Sequence, residues 1–152
     1  MSDPVTKAQL RPDMDAVRQW AHENPDRAAG FWYVGPTHPE ESARVRIGVT
    51  SDPEGARAEL STRLSHPELL DVLPMAHTEV VLRELQQRII ARYMGGAPTS
   101  PESPRVTLVG VDVLVNRTCV GVDPFEEAFV AGLLAEYGDE WITVFHRPPS
   151  QG

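Results

Sequence analysis

A chain of 152 residues, 41% hydrophobic and 24% charged, has the size of one globular domain or of two small half-domains that share a core. Its formal charge of −8 and the lack of any basic run exclude nucleic-acid binding through phosphate neutralisation, and argue against anionic membrane surfaces. No stretch reaches the length of a bilayer span, and a single cysteine, Cys119, cannot form an internal disulfide.

In chain order, residues 1–12 are polar with two prolines and are expected to fray. Asp13–Glu23 reads as a helix with Met14, Val17, Trp20 and Ala21 on one face, ended by Asn24-Pro25-Asp26 because the residue before proline is pushed out of the helical region. Gly30–Val34 reads as a strand. Arg44–Thr50 alternates Val45, Ile47 and Val49 against Arg44 and Arg46, the pattern of a half-buried strand. Asp52 is placed to cap a helix that opens with Pro53 and carries Ala56, Leu60 and Leu64 until His66-Pro67 stops it; Leu69–Pro74 is a further short strand. Thr78–Tyr93 is a helix striped by Val81, Leu82, Leu85, Ile89 and Tyr93, and Gly95-Gly96 ends it. The segment 97–104, with three prolines and two serines, reads as a linker. Val106–Val115 is a long strand, turning at Asn116-Arg117 into Thr118–Val122. Asp123, with Glu126 three positions on, is expected to cap a helix on which Phe125, Phe129, Leu133 and Tyr137 stack, and Gly138 closes it. Trp141–Phe145 is the last strand, followed by a proline-rich tail.

Two passages nearly repeat. Residues 44–50 read R-V-R-I-G-V-T and residues 117–123 read R-T-C-V-G-V-D, and each soon reaches Asp-Pro, then a helix, then a short apolar run. The fold is therefore expected to be α+β, built from tandem strand–strand–helix–strand units with an N-terminal helix and a bridging helix. The expected divisions are an N-terminal segment over 1–29, a first unit with the bridging helix over 30–94, a linker over 95–104, a second unit over 105–147 and a tail over 148–152. Neither unit buries much alone, so the two are expected to pack together with the bridging helix filling the seam.

Chemical signatures are sparse. The five histidines, His22, His38, His66, His77 and His146, never fall in metal-ligand spacing, and the acidic residues Asp112, Asp123, Glu126, Glu127, Asp139 and Glu140 are scattered. No metal and no cofactor is expected. Cys119 could act as a nucleophile with His77 or His146 as base, but a small apolar residue in a strand is the simpler reading. Phosphate-binding glycine loops and nucleophile elbows are absent, so no catalytic residue is assigned. Asn116-Arg117-Thr118 matches a glycosylation acceptor, but without a signal peptide chance explains the match better. Gly48 and Gly121 hold equivalent strand positions, either clearing room for a ligand or marking a bulge or a place where a helix lies close to the sheet. The aromatic run Phe31-Trp32-Tyr33-Val34 belongs either to a central strand buried on both faces or to a strand with one aromatic face left for a partner.

The segments N-P-D-R-A-A-G-F-W-Y-V-G at Asn24–Gly35, R-I-G-V-T at Arg46–Thr50, the helix opening at Thr78–Leu82 and G-V-D-V-L-V-N-R-T-C-V-G-V at Gly110–Val122 span most of residues 24–147. They resemble the pro-region modules of bacterial secreted serine proteases of the alpha-lytic protease and streptogrisin kind. The resemblance implies a non-catalytic module that clasps another protein as folding template and inhibitor, through a strand edge and its C-terminal tail, and it carries over no catalytic residue.

The leading expectation is thus a non-enzymatic protein-binding module whose contact residues are Trp32, Tyr33, Trp141 and Phe145. The alternative is an enzyme or small-ligand binder that uses the cleft between the two units. The expected partner is another protein or a second copy of the chain, with no nucleic acid and no membrane. Lys7 is the only lysine among 14 basic residues, a bias that goes with a GC-rich bacterial genome. The start of the chain has neither a basic n-region nor an apolar h-region, so the expected location is the cytoplasm, or secretion if a signal peptide precedes it.

Overall fold

The computed structural model describes residues 3–95 and 103–149. The element order is α1 (Arg11–Glu23), β1 (Ala28–Val34), β2 (Arg44–Val49), α2 (Pro53–Ser61), a short 3-10 turn (Pro67–Leu69), β3 (Leu70–Pro74), α3 (Glu79–Tyr93), β4 (Arg105–Asp112), β5 (Arg117–Asp123), α4 (Glu127–Tyr137) and β6 (Ile142–His146). The fold is α+β, with two three-stranded mixed sheets in the orders β1-β2-β3 and β4-β5-β6. The chain divides into two compact units near Glu79.

The two sheets share one pairing scheme. In each, the central strand runs antiparallel to the strand before it and parallel to the strand after it. The registers correspond residue for residue. Phe31 opposite Ile47, Trp32 opposite Arg46 and Tyr33 opposite Val45 match Val109 opposite Val120, Gly110 opposite Cys119 and Val111 opposite Thr118. Each first strand also carries an irregularity at the same place, between Ala28 and Gly30 and between Val106 and Leu108.

Each sheet hides one face. In the first unit Val45, Ile47, Val49 and Leu70 meet Met14, Val17 and Trp20 of α1 and Ala56 and Leu60 of α2. In the second, Val106, Val109, Val120, Val122 and Ile142 meet Leu85 and Ile89 of α3 and Leu133 of α4. The repeating unit is therefore longer than the sequence reading had it: helix–strand–strand–helix–strand. The bridging helix, grouped above with the first unit, shares its core with the second sheet. Two polar links fix it there: the buried Thr118 hydroxyl donates to the Leu82 carbonyl at 2.8 Å, and Gln86 Nε2 donates to the Val109 carbonyl at 2.9 Å.

Several local expectations change. The N-terminal segment is tied down where fraying was expected: Val5 N–H donates to Ser42 Oγ at 2.8 Å, Ala43 N–H donates to the Val5 carbonyl at 2.8 Å, and Leu10 is fully buried. Asp52 does cap α2, accepting the Gly55 N–H at 3.0 Å. Asp123 does not cap α4. It is the last residue of β5, paired with Arg105, and the helix opens four residues later without a side-chain cap. Phe125 consequently stands before the helix and is 50% exposed, while Phe129, Leu133 and Tyr137 pack on the core. The long strand expected to Val115 stops at Asp112, whose carboxylate accepts the Leu114 N–H at 3.0 Å; Asn116 then turns the chain at φ 59°. Of the linker expected over 95–104, only Gly95, Ser103 and Pro104 fall within the described residues.

Candidate functional site: a strand edge and its flanking groove

The aromatic run lies on an edge. Among the described residues β1 pairs only with β2, and β6 pairs only with β5. The alternative of a strand buried between two neighbours is therefore set aside for Phe31–Val34. Alternation sends the four side chains to opposite faces. Phe31 and Tyr33 turn toward the helices and pack against the first core, while Trp32 and Val34 stand on the other face in register with Arg46 and Arg44.

That other face carries a charged network. Arg44 grips Asp71 in a fork, Nε to Oδ2 at 3.0 Å and Nη2 to Oδ1 at 2.8 Å, and Arg46 Nε reaches the same Oδ2 at 3.1 Å. The Arg44 hydrogen bonds, supported by Arg46, hold the Asp71 carboxyl below the usual carboxylate range against the opposing effect of its burial. The network spans β2 and β3 beside Trp32 and joins two guanidinium groups to one carboxylate, so it keeps a net positive charge.

The helix-side flank of β1 is different. A groove of about 390 Å³ runs between α1 and the strand, lined by Lys7, Arg11, Met14, Asp15, Arg18 and Tyr33. Arg11, Asp15 and Arg18 lie at i, i+4 and i+7, one side of the helix, and the buried Met14 sits between them. Lys7 Nζ stands 5.6 Å from the Tyr33 ring centroid and the Arg18 guanidinium 5.8 Å from that of Phe31. These are cation–π distances, so the two inward aromatics of β1 hold cations along its edge. Arg18 is paired with Asp15 at 2.8 Å, whereas Arg11 and Lys7 have no ion pair among the described residues.

The second unit presents another surface. Phe145 is half-buried on the outward face of β6, opposite Gly121. Trp141 precedes the strand and packs against the second core, and its carbonyl accepts the Thr118 N–H at 2.9 Å. The structure thus places Trp32 and Phe145 on outward sheet faces, and Tyr33 and Trp141 beside the cores. The four expected contact residues do not form a single patch within either unit.

The remaining candidates resolve into structure. Cys119 lies on β5 opposite Gly110 and Thr143, and burial pushes its thiol up, away from the thiolate a nucleophile needs. His146 is engaged by Asp123, Nε2 to Oδ1 at 2.9 Å. A Cβ on Gly48 would fall 2.5 Å from the Met75 sulfur, and one on Gly121 would fall 2.7 Å from the Arg147 Cβ. Each glycine therefore admits the residue that follows the third strand of its unit, a close approach within the fold. Among the described residues there is no cluster of metal-ligating side chains, and no helix is long and apolar enough to cross a membrane.

The cationic side of α1 escaped the sequence reading, which followed only its apolar face. The signal was present in the spacing of Arg11, Asp15 and Arg18. Comparison with protein-family models and with curated proteins finds no match.

Proposed function

We propose that this chain is a non-catalytic protein-binding module that engages its partner through strand edges. The observation that carries the reading is the one-sided pairing of β1 and β6, each bordered by half-buried aromatic side chains. An open edge offers a partner a row of backbone donors and acceptors, and Trp32 and Phe145 offer anchorage beside it. The resemblance to modules that clasp a protease supports the same class of action. The reading sets the protein in the cytoplasm, where a lone thiol such as Cys119 stays reduced.

The test is affinity capture from the native host, comparing the natural chain with Trp32→Ala and Phe145→Ala, each checked for fold by circular dichroism. A partner that is captured by the natural chain and lost by one folded variant supports the reading. Capture unchanged in both variants, or no specific partner at all, refutes edge binding at these residues.

A further inference from the structure

We propose that the groove between α1 and the free edge of β1 receives an extended acidic segment of a partner protein, added to the first sheet as a fourth strand. This inference rests on the protein-binding reading and names the chemistry of the segment that β1 takes.

Three observations converge on one place. β1 has an outer edge with no strand on it among the described residues. The flank of that edge is lined by three cations and a single acid in a chain whose net charge is −8. The one acid, Asp15, is already bound to Arg18, which leaves Lys7 and Arg11 as the uncompensated charges.

The geometry sorts the occupant's side chains. A strand laid against β1 would turn alternate residues toward α1 and the others away. Arg11 and Arg18 are seven residues apart on the helix, about 10 Å along its axis. Acidic residues at alternate positions of a strand are about 7 Å apart, so two or three of them fall within reach of Lys7, Arg11 and Arg18. The side chains between them would face the Trp32 side of the sheet, where apolar or aromatic residues fit. Tyr33 and Phe31 hold Lys7 and Arg18 beside the edge, so part of the ordering cost of binding is already met. A nucleic acid would find the cations but could not use the strand edge, and the acidic chain as a whole would repel it.

The probe is a fluorescein-labelled peptide of about eight residues alternating glutamate and valine, titrated by anisotropy against the full chain. The expected result is saturable binding that its lysine–valine counterpart does not show. Lys7→Glu with Arg11→Glu should weaken binding about tenfold or more while far-UV circular dichroism stays unchanged. Peptide N-methylated at every residue should fail to bind, because strand addition needs the N–H groups of whichever edge faces β1. Absence of saturable binding to the natural chain overturns the inference, and so does equal binding by the folded double variant. Equal binding of N-methylated peptide, or full displacement by inorganic phosphate at matched ionic strength, shows a simple anion site and likewise overturns it. The double variant also separates the two proposals in the capture assay. A partner that it keeps and Phe145→Ala loses retains the binding module but sinks the acidic strand on β1.

Discussion

Asp13 is the most consequential polar residue in the first unit. It sits on α1, is only 2% exposed, and accepts two backbone hydrogen bonds from the chain that leaves α2: Ser65 N–H to Oδ1 and His66 N–H to Oδ2, each at 2.9 Å. One carboxylate thus ties the first helix to the turn that leads into β3. Hydrogen bonds to a charged acceptor contribute about 1.5–3 kcal/mol each. Two of them would sum to about 3–6 kcal/mol, but both are only part-buried, and water would recover a share once the carboxylate is removed. Asp13→Ala should therefore cost about 2–4 kcal/mol. Asp13→Asn keeps the shape and one acceptor oxygen but turns an NH₂ toward the second N–H, so about 1–2 kcal/mol is expected. Urea unfolding followed by tryptophan fluorescence reads both, because Trp20 lies 1% exposed in the same core and donates its Nε1 hydrogen to Glu59. A loss below about 1 kcal/mol for Asp13→Ala, or equal losses for the two variants, would refute this account of the carboxylate.

In the second unit, Leu85→Ala should cost about 2–5 kcal/mol by thermal or urea unfolding, because Leu85 is 3% exposed amid Ile89, Val106 and Leu133; a cost under about 1 kcal/mol would mean that the α3 stripe is not packed. Gly48→Ala and Gly121→Ala should each destabilise by about 1–3 kcal/mol through overpacking. They should differ in rescue. Met75→Ala should relieve Gly48→Ala, whose clash is with the sulfur and Cγ, but Arg147→Ala should not relieve Gly121→Ala, whose first clash is with a Cβ; only Arg147→Gly should, and equal rescue by both alanine variants would be contrary. Asp71 has a folded-state pKa below its unfolded value of about 4, so its stabilising effect is complete above that pH and fades as pH falls through the folded value. With Arg44 and Arg46 38% and 40% exposed, the effect is about 0.5–1 kcal/mol. The gap between the natural chain and Asp71→Asn, measured by urea unfolding, should close as the pH is lowered from about 5 to about 2, and a gap that widens would reverse the assignment.

Much of the architecture was legible because it rests on local patterns. Alternation in Arg44–Val49 and the Asp-Pro opening of α2 gave strand and helix directly. The second Asp-Pro misled for a countable reason. In the first unit Thr50 and Ser51 separate Val49 from Asp52, so the aspartate clears the strand and reaches the cap. In the second, Asp123 follows Val122 at once, stays in β5 opposite Arg105 and meets His146 instead. The same dipeptide two positions earlier in the frame therefore serves a different structure. Strand order was less accessible. The apolar run Phe31–Val34 suits an edge strand bordered by α1 as well as a central one, because helix packing and a neighbouring strand bury aromatics alike. Asp13 was invisible for a similar reason: its partners Ser65 and His66 are more than fifty positions away, and no periodicity connects a carboxylate with backbone N–H groups.

The residue-for-residue match of the two sheets also separates what the frame dictates from what the side chains add. Both units keep the mid-strand glycine, the irregularity in the first strand, and the hydrogen bond from the residue after the third strand back to the central one, Met75 to Val49 and Arg147 to Val122. These are backbone requirements, and they recur. The row across the outward face does not recur: Trp32, Arg46 and Asp71 in one unit stand where Gly110, Cys119 and Thr143 stand in the other. One frame therefore carries an aromatic and ion-paired row in the first unit and a small, uncharged row at the same place in the second. A requirement of folding alone would act on both copies. The aromatic at Trp32 answers to no such shared demand, and it stands on the strand whose outer edge carries no partner strand among the described residues.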